Sequence, residues 1–130
     1  GAPPYWDPIQ APPLVDPPLV YNCFISFPFS LDIKALDDDA GQAVTISAEG
    51  LTDCGAELET VTAGNPSVVR LLFLPAPRDA GRVYTVCVVA TDAQNMKSEP
   101  RCVQLAVARP LPVFEAPLGS EADATESEIR

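Results

Sequence analysis

The residues most able to do defined chemistry in this 130-residue chain are its four cysteines, Cys23, Cys54, Cys87 and Cys102. Cys87 lies in VYTVCVVAT and Cys102 in RCVQLAVA, two apolar runs of period two joined by a polar turn. Strand side chains alternate between faces, so Tyr84, Val86, Val88 and Ala90 share one face, as do Val103, Leu105 and Val107. Both cysteines therefore point the other way. A thiol pair off the core face of adjacent antiparallel strands predicts a cross-strand disulfide, Cys87 with Cys102, and an oxidising, extracellular setting. Exclusion then leaves Cys23 with Cys54, a bridge that would pin the first strand to a Gly-rich crossover. Redox catalysis would call for close C-x-x-C spacing or a basic neighbour, and a four-thiolate zinc site for paired spacing; the sequence has no clear case of either.

Carboxylates form the second group. Asp37, Asp38 and Asp39 lie in the turn DDDAGQ, Asp92 opens the loop between the two cysteine-bearing runs, and Asp7 lies near the start. In a two-sheet topology those loops share one end, where the N-terminal arm also enters. Calcium takes six to eight oxygens, so Asp37, Asp38, Asp39, Asp92 and Asp7 are candidate calcium ligands that would stiffen a junction between repeats; the alternative is a solvated acidic turn. Carboxylate pairs also hydrolyse glycosides, but only across a cleft between rigid elements, and three adjacent aspartates on one turn do not supply that. There is no histidine, which removes the usual general base and the commonest zinc ligand. Eight basic residues against 18 acidic ones give a net charge of -10 with no basic stripe, which excludes nucleic acid as a partner. The chain is expected to be no enzyme and to need no cofactor beyond the candidate calcium.

Aromatic residues form the third group. Tyr5 and Trp6 stand in an arm, residues 1–18, that carries seven prolines and must be extended or turning. As rigid anchors they would dock on a neighbouring repeat or partner, or else cover this domain's own edge. Pro4-Tyr5-Trp6-Asp7-Pro8 recurs loosely as Pro112-Val113-Phe114-Glu115-Ala116-Pro117, which adds Phe114 to the interaction candidates. The offset of about 108 residues is the size of one sandwich domain.

The elements that would position these groups are short strands. The predicted series runs Leu19–Ser26, Phe29–Leu36, a third around Val44 to Ala48, a short one around Glu57–Val61, Val69–Phe73, and the cysteine-bearing hairpin. These make about seven strands with no helical period longer than a turn. That pattern predicts an all-β antiparallel sandwich over residues 19–109, preceded by a proline-rich linker or tethered arm over 1–18. It is followed over 110–130 by a linker or the start of a next repeat, acidic and expected to be disordered. No apolar run approaches the ~20 residues that span a bilayer, so no membrane insertion of this segment is expected. The chain opens on Gly1, so a missing leader carries no information on secretion.

The stretch LLFLPAPRDAGRVYTVCVVATDAQNMKSEPRCVQLAV resembles the second half of the immunoglobulin-like and cadherin-like repeats of large secreted and cell-surface proteins: a strand, a Pro turn, an Asp-x-Gly corner, a Tyr-led strand ending in Ala-x-Asp, a loop and a last strand. FSLDIKALDDDAGQAVTISAEGLTDCGAEL is similar to the first half. The resemblance covers roughly residues 20–117 and departs from true immunoglobulin domains at Cys87, which follows Tyr84 by three residues rather than two, and at the lone Trp, which lies in the arm. It implies an immunoglobulin-like sandwich and a tandem arrangement at the cell surface. The expected role is a spacer and a filament or matrix assembly unit, with neighbouring repeats or other extracellular proteins as partners. The alternative is an adhesin module binding a protein or glycan, with calcium as its candidate cofactor.

Overall fold

The computed structural model describes residues 1–110, folded as eight strands in two four-stranded sheets. The first sheet has the order β1 (Tyr5–Trp6), β3 (Phe29–Leu36), β6 (Ser67–Phe73) and β5 (Glu57–Thr62). The second has the order β2 (Leu19–Phe24), β8 (Arg101–Ala108), β7 (Val83–Thr91) and β4 (Thr45–Glu49). This is the predicted all-β sandwich, with one strand more than expected.

Alternation builds the core. Ile33 and Leu71 from the first sheet meet Val86, Val88, Val103 and Leu105 from the second, and all six are essentially removed from solvent. Each such aliphatic side chain contributes roughly 1.5–3 kcal/mol relative to an exposed one. The opposite faces carry cross-strand polar pairs. Asp32 stands in register with Arg70 and binds it at 2.7 Å, and Glu59 on β5 faces the same arginine.

Three features depart from the expected pattern. The first strand ends at Phe24, because Ile25 and Ser26 turn to donate to Ala108 and Pro75 carbonyls. It also runs parallel to β8, Leu19 opposite Val103 through Phe24 opposite Ala108, so the sandwich is not wholly antiparallel. Finally, the proline-rich arm supplies a strand: Tyr5 and Trp6 pair with Leu36 and Ala35, and the Asp7 amide donates to the Lys34 carbonyl. Proline cannot sit in the middle of a ladder, but it can flank a two-residue edge strand.

The crossover between β4 and β5 contains one helical turn, α1 (Leu51–Cys54), and the corner after β6 a 3-10 turn, η1 (Pro77–Asp79). Gly50, before α1, has φ +93°, and a Cβ there would lie 2.2 Å from the Thr85 carbonyl oxygen. Glycine is required at this approach for both reasons.

The chain enters and leaves at opposite poles. Gly1 lies against the Gln94 side chain at the pole holding the 37–42 and 92–97 loops. Ala108 ends β8 at the other pole, beside the corner, where the Ile25 amide reaches its carbonyl. We call these the loop pole and the corner pole.

Candidate functional site

Cys87 and Cys102 occupy directly opposed positions on β7 and β8, with Cα atoms 4.0 Å apart, and are joined by a disulfide. Their neighbours Val86, Val88 and Val103 point inward, so the bridge lies on the outer face, as the strand phase predicts. The expected second bridge is not formed. Cys23 and Cys54 are buried free thiols that belong to the core cluster. Cys23 faces inward from β2, with Sγ 3.7 Å from the Tyr21 carbonyl, while Cys54 is turned back on α1 toward the Gly50 and Leu51 carbonyls. Burial, with Cys54 nearby, pushes the Cys23 thiol up to about 11, and burial raises Cys54 as well. Both remain protonated at neutral pH and are poor nucleophiles.

At the loop pole the acidic residues do not converge. Among the described residues no group of three or more His, Cys, Asp or Glu side chains is placed to hold a metal ion, so the candidate calcium ligands are not brought together. The reason lies in backbone capping. Asp7 Oδ1 accepts from the Ile9 and Gln10 amides, Asp37 Oδ1 from Asp39, Asp39 Oδ1 from Gly41, and Asp92 Oδ1 from Gln94 and Met96. Asp38 stands apart beside the Tyr5 hydroxyl, hydrogen-bonded to it and raising its pKa. The other four carboxylates thus each close their own turn, the ordinary use of Asp in a loop.

What ties this pole together is an amide the sequence reading passed over. The Asn65 side chain accepts from the Asp37 amide and donates to the Asp37 and Asp39 carbonyls, at 2.8 to 3.1 Å. Gln42 Oε1 then accepts from the Ala93 amide, which joins the acidic turn to the terminal hairpin. The two loops do share one end, as expected.

Trp6 is committed to this domain. Its ring is 5% exposed within the core and its Nε1 donates to the Glu99 carbonyl at 2.9 Å, so it is no anchor for a partner. Tyr5 next to it is 44% exposed and remains available. Phe114 lies outside the described residues, as does the loose repeat around it.

The corner pole holds a second group that the sequence reading saw only as an Asp-x-Gly corner before a tyrosine. Tyr84 donates to Asp79 Oδ1 at 2.6 Å, and the Ala76 amide donates to Asp79 Oδ2 at 2.8 Å. The Tyr84 hydroxyl, and after it the Ala76 amide, hold the buried Asp79 carboxyl below the usual carboxylate range. The spacing Asp79 to Tyr84 was the available signal. Around this pair lies an open cleft of about 280 Å³, lined by Thr52, Asp53, Cys54, Arg78 and Arg82 as well. Its two arginines, its carboxylates and its hydroxyls make it a polar surface rich in hydrogen-bonding groups.

No family model matches the sequence, and the comparison with curated proteins finds no match. Solved structures do resemble the fold. The chain is similar to the sialic acid binding region of an adhesin from Streptococcus sanguinis SK1, bound to 3'sLn, with TM-score 0.61 and 18% identity over 84% of this chain and 30% of that one. It is also similar to the SrpA adhesin from Streptococcus sanguinis, with TM-score 0.55 and 18% identity over 82% of this chain and 58% of that one. The chain thus spans only part of either structure, and at this identity the likeness is one of fold. Among the described residues no helix is long and apolar enough to cross a membrane.

Proposed function

We propose that this chain is a non-catalytic module of a tandem-repeat extracellular or cell-surface protein, immunoglobulin-like in kind, that serves as a spacer and as a unit of filament or matrix assembly. The observation that carries this reading is the placement of Gly1 and Ala108 at opposite poles of the sandwich, with Gly1 against Gln94 and Ala108 beside the corner. Copies joined end to end would extend rather than fold back. The cross-strand disulfide supports an oxidising compartment, and the likeness to adhesin folds supports a surface setting. The test is a head-to-tail fusion of two copies studied by small-angle X-ray scattering. The expected maximum dimension is close to twice that of one copy, and a compact dimer of domains would defeat the spacer reading.

A second reading has one observation in its favour. The cleft at the corner pole presents Arg78, Arg82 and the hydroxyls of Thr52 and Tyr84, groups that suit an acidic sugar. On this reading the module binds a glycan, as the first adhesin region above does. A glycan array on the intact chain and on Arg82→Ala tests it: binding to acidic glycans that the substitution abolishes would favour it, and an array without signal would retire it.

A further inference from the structure

Four strand edges border the two sheets, and they differ in how well they are guarded. Long, flat, uncharged edges pair with other chains, and natural proteins blunt them with charge, bulges or brevity. β1 is two residues long, and β5 carries Glu57 and Glu59 with a register shift between Thr60 and Thr62. β4 carries Glu49 and runs into the α1 turn. β2, with the sequence LVYNCF, has six residues, no charge, no proline and no register shift.

Its free side is also apolar. Leu19, Val20 and Phe24 are 41%, 48% and 40% exposed. The Ile25 amide donates to the Ala108 carbonyl, so odd-numbered residues of this strand direct their backbone groups at β8 and even-numbered ones direct theirs outward. Among the described residues, the N–H and C=O of Val20 and Asn22 and the N–H of Phe24 have no partner, while the Phe24 carbonyl accepts from Phe27.

We propose that this edge is a homotypic interface: two copies of the chain pair their β2 strands antiparallel about a two-fold axis at Asn22. The strand is self-complementary in that register. Asn22 meets Asn22 of the second copy and exchanges both backbone hydrogen bonds with it, and on either side the Phe24 N–H donates to the opposite Val20 carbonyl. Val20 then faces Phe24 twice on the outer surface, an aromatic with β-branched pairing that stabilises sheets, while the two amide side chains fix the register. A closed two-fold contact of this kind is isologous and self-limiting. Two chains of net charge -10 repel, and β2 is the uncharged line along which they meet at least cost. Screening that repulsion with salt should therefore strengthen the pairing, the opposite of a contact between unlike charges. The inference does not depend on the module's place in a longer protein.

The experiment is sedimentation equilibrium on the full chain up to about 1 mM protein, where even a weak interface populates its dimer. The wild type should show a reversible monomer to dimer transition that strengthens as sodium chloride rises. Asn22→Lys sets like charges face to face and should raise the dimer dissociation constant at least about tenfold. Thr60→Lys on the β5 edge should leave it unchanged. Asn22 is exposed, and an unaltered thermal midpoint at low concentration shows that the variant still folds. A wild type that stays monomeric at about 1 mM overturns the proposal, as does a dimer that survives Asn22→Lys or one that Thr60→Lys dissolves.

Discussion

Asp79 shows at the scale of one residue how the corner is held. Its two oxygens are each taken by a short hydrogen bond, from Tyr84 and from the Ala76 amide, and its carboxyl is buried. Tyr84→Phe leaves one of those oxygens without a partner and should cost about 1–3 kcal/mol, read as a loss in urea midpoint. The pH dependence follows from the direction of the shift. The carboxyl titrates lower in the folded chain than in the unfolded one, so the unfolded chain takes up the proton first as pH falls. The associated stability is complete above about pH 4 and is lost below it as pH passes through the folded value. Melts at a series of acidic pH values should therefore show a steeper decline for wild type than for Tyr84→Phe. The disulfide is a residue-scale device too: its ends lie 15 residues apart, and opening it through Cys87→Ala with Cys102→Ala should cost about 3 kcal/mol by loop entropy.

At the scale of elements, the terminal hairpin was fully legible because period-two alternation is local: Tyr84, Val86, Val88 and Ala90 against Cys87 fix both the core face and the place of the bridge. The arm was not legible. Its seven prolines hide a two-residue strand whose only reason to form is β3, far along the chain. Trp6 could therefore be read either as an anchor for a partner or as cover for this domain's own edge, and it is part of the core. The Cys23 with Cys54 pairing failed for a related reason, since exclusion counts thiols but says nothing about which way α1 turns one of them. Trp6, as the one tryptophan, makes its own test. Its emission should be that of a buried indole, and its unfolding transition should coincide with that seen by far-UV circular dichroism, because the arm belongs to the cooperative unit. A red-shifted emission without a transition would show a free arm. For the β4 to α1 joint, Gly50→Ala should cost at least about 1–3 kcal/mol from backbone strain, before the clash with the Thr85 carbonyl is added.

For the molecule as a whole, the acidic character gathers no group of metal-ligating side chains among the described residues. Asp7, Asp37, Asp39 and Asp92 each commit Oδ1 to backbone amides of their own turns and do not converge, so millimolar calcium should shift the thermal midpoint no more than sodium chloride of equal ionic strength. The sequence could show that carboxylates gather at one pole, because loops at one end follow from the order of the strands. It could not show where each oxygen points, which depends on turn geometry and on Asn65 reaching across from another loop.

The parallel register of β2 and β8 has a mechanical consequence. Tension applied through the two poles pulls Leu19 one way and Ala108 the other along strands that run side by side in the same direction. The hydrogen bonds between them are then loaded together in shear rather than opened one after another, and the module should yield abruptly at high force in a single-molecule pulling trace. Once it yields, the covalent link between Cys87 and Cys102 withholds the 15-residue span between them from the extending chain. The measured extension should fall short of the full length by about 50 Å, at roughly 3.4 Å per residue, and chemical reduction should restore it.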